Sequence, residues 1–168
     1  MKRTLTRTEM LNLWRTIHTA EPLRLDCVVT RADGPDFSTA LEAEMRAWYL
    51  DLLDNGPEQM LAPVEMAHAA TVAGELPGIV SVTLPAEVRR VLRVKFAGWG
   101  APESPGWSPE RLLTLASNPY FNRQAVAAVS GNSLIVSGAT GTLISAICVV
   151  DPGPERYVLD DKALALKT

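Results

Sequence analysis

The hydrophobic pattern changes period at Pro57, and that change constrains the fold more than any other feature of the chain. Before it, apolar residues return every three or four positions; after it, short runs rich in Val, Ile and Thr are separated by Gly, Pro and Asn. The first texture is that of amphipathic helices, the second that of strands and turns. The 168 residues are therefore expected to form one α+β domain, mainly helical over 1–57 and mainly strands over 58–150, with a tail at 151–168. In that domain N-terminal amphipathic helices pack on an antiparallel β-sheet or small β-sandwich, with one short helix inserted between strands.

Local signals place the elements. Thr6-Arg7-Thr8-Glu9 has capping-box spacing with Leu5 and Met10 at the staple positions, and Met10, Leu13, Trp14 and Ile17 continue as one stripe until Pro22. A short extended piece and an Asp33-Gly34-Pro35 turn follow over 23–36. Thr39 and Glu42 repeat the capping spacing, Leu41, Met45, Trp48, Tyr49, Leu52 and Leu53 form a buried stripe with Trp48 as its anchor, and Asn55-Gly56 is a stop. Strands are predicted over 65–73, 78–84, 91–98, 124–130, 133–138 and 142–150, the last three as consecutive antiparallel neighbours with Gly131-Asn132 turning the first hairpin. Ser108-Pro109 opens a short Leu-rich helix ending near Asn118-Pro119, and "YVLDDKALALKT" is either a last strand or a docked helical turn.

Apolar residues at 47% and charged residues at 21% suit a folded chain, and a net charge of -3 means that any attraction to phosphate has to be local. The local candidate is "RRVLRVKFAGW" at 89–99. As a strand it sets Leu92, Val94 and Phe96 on one face and Arg93, Lys95 and Ala97 on the other. A helix would instead align Val88, Val91, Leu92, Phe96 and Trp99, but Val91, Val94 and Gly98 favour the strand. The basic face is expected to be solvated, its stems covering apolar surface and its charges pairing with acids such as Glu87 or Glu103, with Arg89, Arg90, Arg93, Lys95 and Trp99 as a possible interface. The basic residues are not interleaved with base-stacking aromatics, so sequence-specific nucleic-acid binding is not expected.

Signatures of chemistry are missing from the sequence. His18 and His68 have no ligand partner at metal spacing, there is no G-x-S-x-G elbow, and the glycines of "SGNSLIVSGATGTL" lack the Gly-Lys-Ser/Thr of a phosphate loop. Asp51, Asp54, Asp160 and Asp161 read as solvated carboxylates, and Trp99, Trp107 and Tyr120 as a loop packed on the sheet in preference to a sugar or peptide platform. No catalytic, cofactor-binding or metal residue is expected, and no cofactor. Cys27 and Cys148 read as two buried thiols. No apolar run reaches the roughly 18 residues of a membrane span, and the first residues lack a signal-peptide core, so neither a membrane nor the secretory route is expected.

The order of elements, with "VTLPAEVRRVLRVKFAGWGAP" and then a Leu-rich helix leading to "ASNPYFNRQAVAAVSGNSLIVSG", resembles the small head-tail connector, or neck and adaptor, proteins of tailed bacteriophages and prophages. The matching features are Leu84-Pro85 with Arg89 and Arg90, Gly98-Trp99 and Asn118-Pro119-Tyr120, within residues 38 to 150. The resemblance implies a structural virion protein made in the cytoplasm of a bacterial host. Such a protein forms a homo-oligomeric ring, docks on a portal or another virion ring protein, and has no enzymatic role. A non-catalytic β-sandwich module binding a carbohydrate or protein ligand is the alternative.

Overall fold

The first strand pairs with the last. In the computed structural model, which describes residues 1–18, 37–76, 78–116, 118, 124–139 and 141–165, strand β1 (Lys2–Thr6) runs antiparallel to β9 (Arg156–Asp160), with Thr4 opposite Val158. The expected extended piece at 23–36, Cys27 and Tyr120 lie outside the described residues. Chain contacts gather into two compact units: residues 1–62 with 151–168, and residues 63–150.

In the first unit the capping box forms as its spacing predicts. The Thr6 N–H donates to Glu9 Oε2 at 2.8 Å and the Glu9 N–H to Thr6 Oγ1 at 3.3 Å, opening α1 (Arg7–His18) directly from β1. The second capping box does not form. Helix α2 begins at Phe37, so Thr39 already lies within its first turn, and Glu42 receives the Arg7 guanidinium instead, with Arg7 Nη2 to Oε2 at 2.9 Å. Arg7 also reaches Glu155, joining the start of α1 to α2 and to the turn before β9.

The α2 stripe is buried as expected at Leu41, Met45, Tyr49, Leu52 and Leu53, and Met10 and Trp14 of α1 are equally enclosed. Trp48 is only half-buried, its ring 5.1 Å from that of Trp14, so the anchor of α2 is its neighbour Tyr49. The Tyr49 O–H donates to the Val158 carbonyl and accepts from the Val158 N–H, both at 3.0 Å. One phenol therefore satisfies both backbone groups of Val158. Its ring meets Tyr157 edge-on at 4.8 Å, and Arg46 lies over both rings while binding Asp151 Oδ2 at 2.5 Å. The stretch from Tyr157, left open by the sequence as strand or helical turn, holds both over its described residues, strand β9 and then a helical turn, α4 (Asp161–Ala165).

The second unit holds two antiparallel sheets: β2 (Val64–Glu65), β8 (Leu143–Val150) and β5 (Val88–Phe96) in the order β2-β8-β5; and β3 (Thr71–Leu76), β4 (Ile79–Thr83), β7 (Ser133–Ser137) and β6 (Val126–Ser130) in the order β3-β4-β7-β6. Val80, Val82, Ala127, Leu134 and Val136 from the larger sheet share one core with Val94, Phe96, Ala146 and Cys148 from the smaller, making a small sandwich. The other face of the larger sheet, at Ile79, Val126 and Ala128, is covered by Leu112 of α3 (Pro109–Ala116), the helix inserted between β5 and β6.

Two expectations fail here for identifiable reasons. The single strand at 65–73 is broken by a 3-10 turn at Ala67–Ala69, because the Glu65 carboxylate accepts the Ala67 N–H at 2.9 Å and the chain crosses from one sheet to the other. The three consecutive strands β6, β7 and β8 do not form one meander, because β4 occupies the free side of β7 and β8 pairs with β5 and β2. The β6–β7 hairpin does form, with Gly131 at φ 62° in the first central position of its two-residue loop. No helix among the described residues is long and apolar enough to cross a membrane.

Two stability tests follow from the first unit. Trp14→Ala is expected to cost about 3–5 kcal/mol and Trp48→Ala clearly less, since only the first ring is fully enclosed; equal shifts of the urea midpoint would contradict that ranking. Tyr49→Phe keeps the ring but strips both Val158 groups of their partner, for a loss of about 1–3 kcal/mol. Faster amide exchange at Val158 than elsewhere in β9 would locate the effect.

Candidate interaction surface on strand β5

Strand β5 alternates as its sequence suggests, but with interruptions that decide what its cations face. Val94 and Phe96 are fully buried and Leu92 nearly so, whereas Arg93 is exposed and Lys95 half-exposed. Register shifts against β8 fall between Val88 and Arg90, between Val91 and Arg93, and between Lys95 and Phe96. Each bulge inserts a residue and breaks the two-residue period. Val88, Arg89, Arg90 and Val91, four consecutive residues, all line one concavity.

That concavity is closed by Leu84 and by the β6–β7 hairpin through Val129, Gly131, Asn132, Ser133 and Leu134. Its volume of about 70 Å³ is well below the roughly 300 Å³ at which small-molecule sites begin. The rim carries Val129, which is 42% exposed. A depression of this size, with the apolar Val129 at its rim, is too small to enclose a small-molecule ligand.

Beyond the bulges, cross-strand pairing defines the outer face of the three-stranded sheet. Glu65 stands opposite Ile147, Ile147 opposite Arg93, and Ser145 opposite Lys95, so one row across the sheet reads acid, apolar, base. Ile144, the extra residue at the last bulge, is 54% exposed beside it. Glu65 is firmly placed: its carboxylate accepts the Ala146 N–H at 2.7 Å, the Ser145 hydroxyl at 2.6 Å and the Ala67 N–H. Burial pushes its pKa up, but these hydrogen bonds outweigh burial and hold the carboxyl below its ordinary value. The sequence reading missed Glu65; a lone carboxylate within the apolar "APVEMAHAA" run was the available signal.

Trp99, offered both as a possible interface residue and as part of a loop packed on the sheet, is a core residue and so follows the second reading. It is buried, its ring lies 5.3 Å from that of Phe96, and its indole N–H donates to the Gly138 carbonyl at 2.8 Å. Gly138 takes φ 72°, and a Cβ there would stand 2.3 Å from the Gln124 carbonyl oxygen, so glycine is required where these segments meet. Trp107 is likewise packed against the sheet, with Arg111 4.6 Å over its ring. His68 is exposed in its turn. Cys148 is wholly buried and free, its thiol pushed up to about 11 by burial and by the nearby Glu65 charge.

Because the folded pKa of Glu65 lies below its unfolded value of roughly 4.3, its contribution is complete above that value and is lost as pH falls through the folded one. Glu65→Gln is therefore expected to lower stability near about pH 6 and to approach wild type progressively as pH falls below the ordinary carboxylate value of roughly 4.3. Urea midpoints across that acid range measure this, and a gap independent of pH would contradict an ionised anchor at this position.

No protein-family model, no curated protein and no solved structure matches this chain.

Proposed function

We propose that this chain is a structural assembly protein of a tailed-phage virion, a ring-forming head-tail connector or neck adaptor that works through protein-protein interfaces. It carries no enzymatic activity and needs no cofactor. Its partners are further copies of itself and a portal or other virion ring protein, and it neither reads nucleic-acid sequence nor enters a membrane.

The observation that carries this proposal is the charge order on the smaller sheet. Glu65 lies at the β2 side and Arg93 and Lys95 at the β5 side, with the exposed Ile144 nearby. A surface with opposite charges at its two ends is complementary to a second copy set beside it head to tail, and head-to-tail contacts close into rings when the rotation between copies divides a full turn. The sequence resemblance to connector proteins supports the same reading.

Sedimentation of wild type and of the double variant Arg93→Glu/Lys95→Glu at two salt concentrations tests it. Wild type is expected to self-associate, more tightly at low salt, and the variant to stay folded with association weakened by roughly tenfold, or about 1.4 kcal/mol. Assembly indifferent to the reversal, with loss of a salt-sensitive affinity for a labelled DNA duplex, would show instead that the basic face touches phosphate.

A further inference from the structure

The two units are cut differently from the chain. The second is one continuous stretch, residues 63–150, whereas the first is assembled from residues 1–62 and 151–168. The core of the second is supplied from within its own stretch, from Met66 near the start to Ala146 and Cys148 near the end, and Leu112, Ile79, Val126 and Ala128 add the layer beneath α3. Its ends are also pinned to each other: Val64 stands opposite Cys148, and the Met66 N–H donates to the Ala146 carbonyl at 2.8 Å. A continuous stretch of this length with its own core is built as an independent domain is.

In the first unit two separate pieces of chain have to meet. Strand β1 pairs with β9, the Tyr49 phenol holds Val158, and Arg46 binds Asp151, so each of these ties joins residues 1–62 to residues 151–168. While the second unit is folded, the β2–β8 pairing brings the two pieces to one place. Once it unfolds, the same ties must close a loop of disordered chain over residues 63–150, at an entropic cost that rises with the logarithm of loop length. We infer that the chain opens in a fixed order: the first unit unfolds while the second stays folded, and a chain whose second unit is unfolded does not keep its first. The stabilisation is mutual, since a folded first unit also restrains the ends of an unfolded second; the order comes from which unit is complete without the other. The partly open form keeps the three-stranded sheet with Glu65, Arg93 and Lys95, so that face stays formed while the β1–β9 ribbon is open. This order holds whether or not copies of the chain form rings.

Amide hydrogen exchange on the full chain at low urea tests the order. In wild type, β1 and β9 are expected to exchange faster than β4, β7 and β8. Trp14→Ala is expected to lower protection in β1 and β9 by at least about tenfold while β4, β7 and β8 stay within about twofold of wild type. If this variant unfolds the first unit outright, β4, β7 and β8 are still expected to be protected. Phe96→Ala removes a ring fully buried in the second unit. It is expected to lower protection in β4, β7 and β8 toward that of β1 and β9 but never below it, and complete loss in the second unit is expected to bring complete loss in the first. Equal falls in both units with Trp14→Ala would reveal a single cooperative domain and overturn the fixed order. A protected β1–β9 ribbon in a chain whose β4, β7 and β8 are open would overturn it as well.

Discussion

The first unit depends on one antiparallel pairing, that of residues 2–6 with residues 156–160. A two-stranded ribbon is marginal in water by itself, and closing so long a loop costs chain entropy, so the pairing has to be reinforced from outside the ribbon. Helix α1 starts at the last residue of β1 through its capping box, and α2 holds β9 through the Tyr49 hydroxyl and the Arg46–Asp151 pair. The intervening second unit helps by its own topology. Its first and last strands are hydrogen-bonded neighbours, Val64 opposite Cys148, so it begins and ends at nearly one place.

Within the second unit the same economy appears at Glu65. Its carboxylate serves the turn that moves the chain between sheets and the strand β8 that its own segment pairs with. The charge that results sits on the outer sheet face across from Arg93, so a group needed for folding also gives that face its polarity. The bulges in β5 act in a comparable way. They leave Val94 and Phe96 in the core, and Arg89 and Arg90 both line one concavity.

Much of this was legible in advance because it rests on local chemistry. The α1 capping box, the buried stripe of α2, the Gly131 hairpin and the helix opened by Ser108-Pro109 each depend on residues within a few positions of one another, and all appear. The α+β class, with antiparallel sheets and an inserted helix, follows from the two hydrophobic periods. Where the expected site was local, as in the alternation of Arg93 and Lys95 with Val94 and Phe96, burial agrees with it.

What the chain could not announce is which distant segments meet. Strand β1 has no strong alternation of its own and exists because β9 pairs with it; Glu42 abandons a cap for Arg7; the Trp99 indole finds its partner in the distant carbonyl of Gly138. Likewise β8 leaves β7 for β5, and Glu65 becomes an anchor only when Ser145 and Ala146 arrive beside it. Sequence by itself determined most of the helices and strands, β1 and the break at 67–69 excepted, because propensity, capping and period act over a few residues. Tertiary structure alone decided their partners and the faces of the cations, because strand pairing and bulges are settled by contacts between residues far apart in the chain.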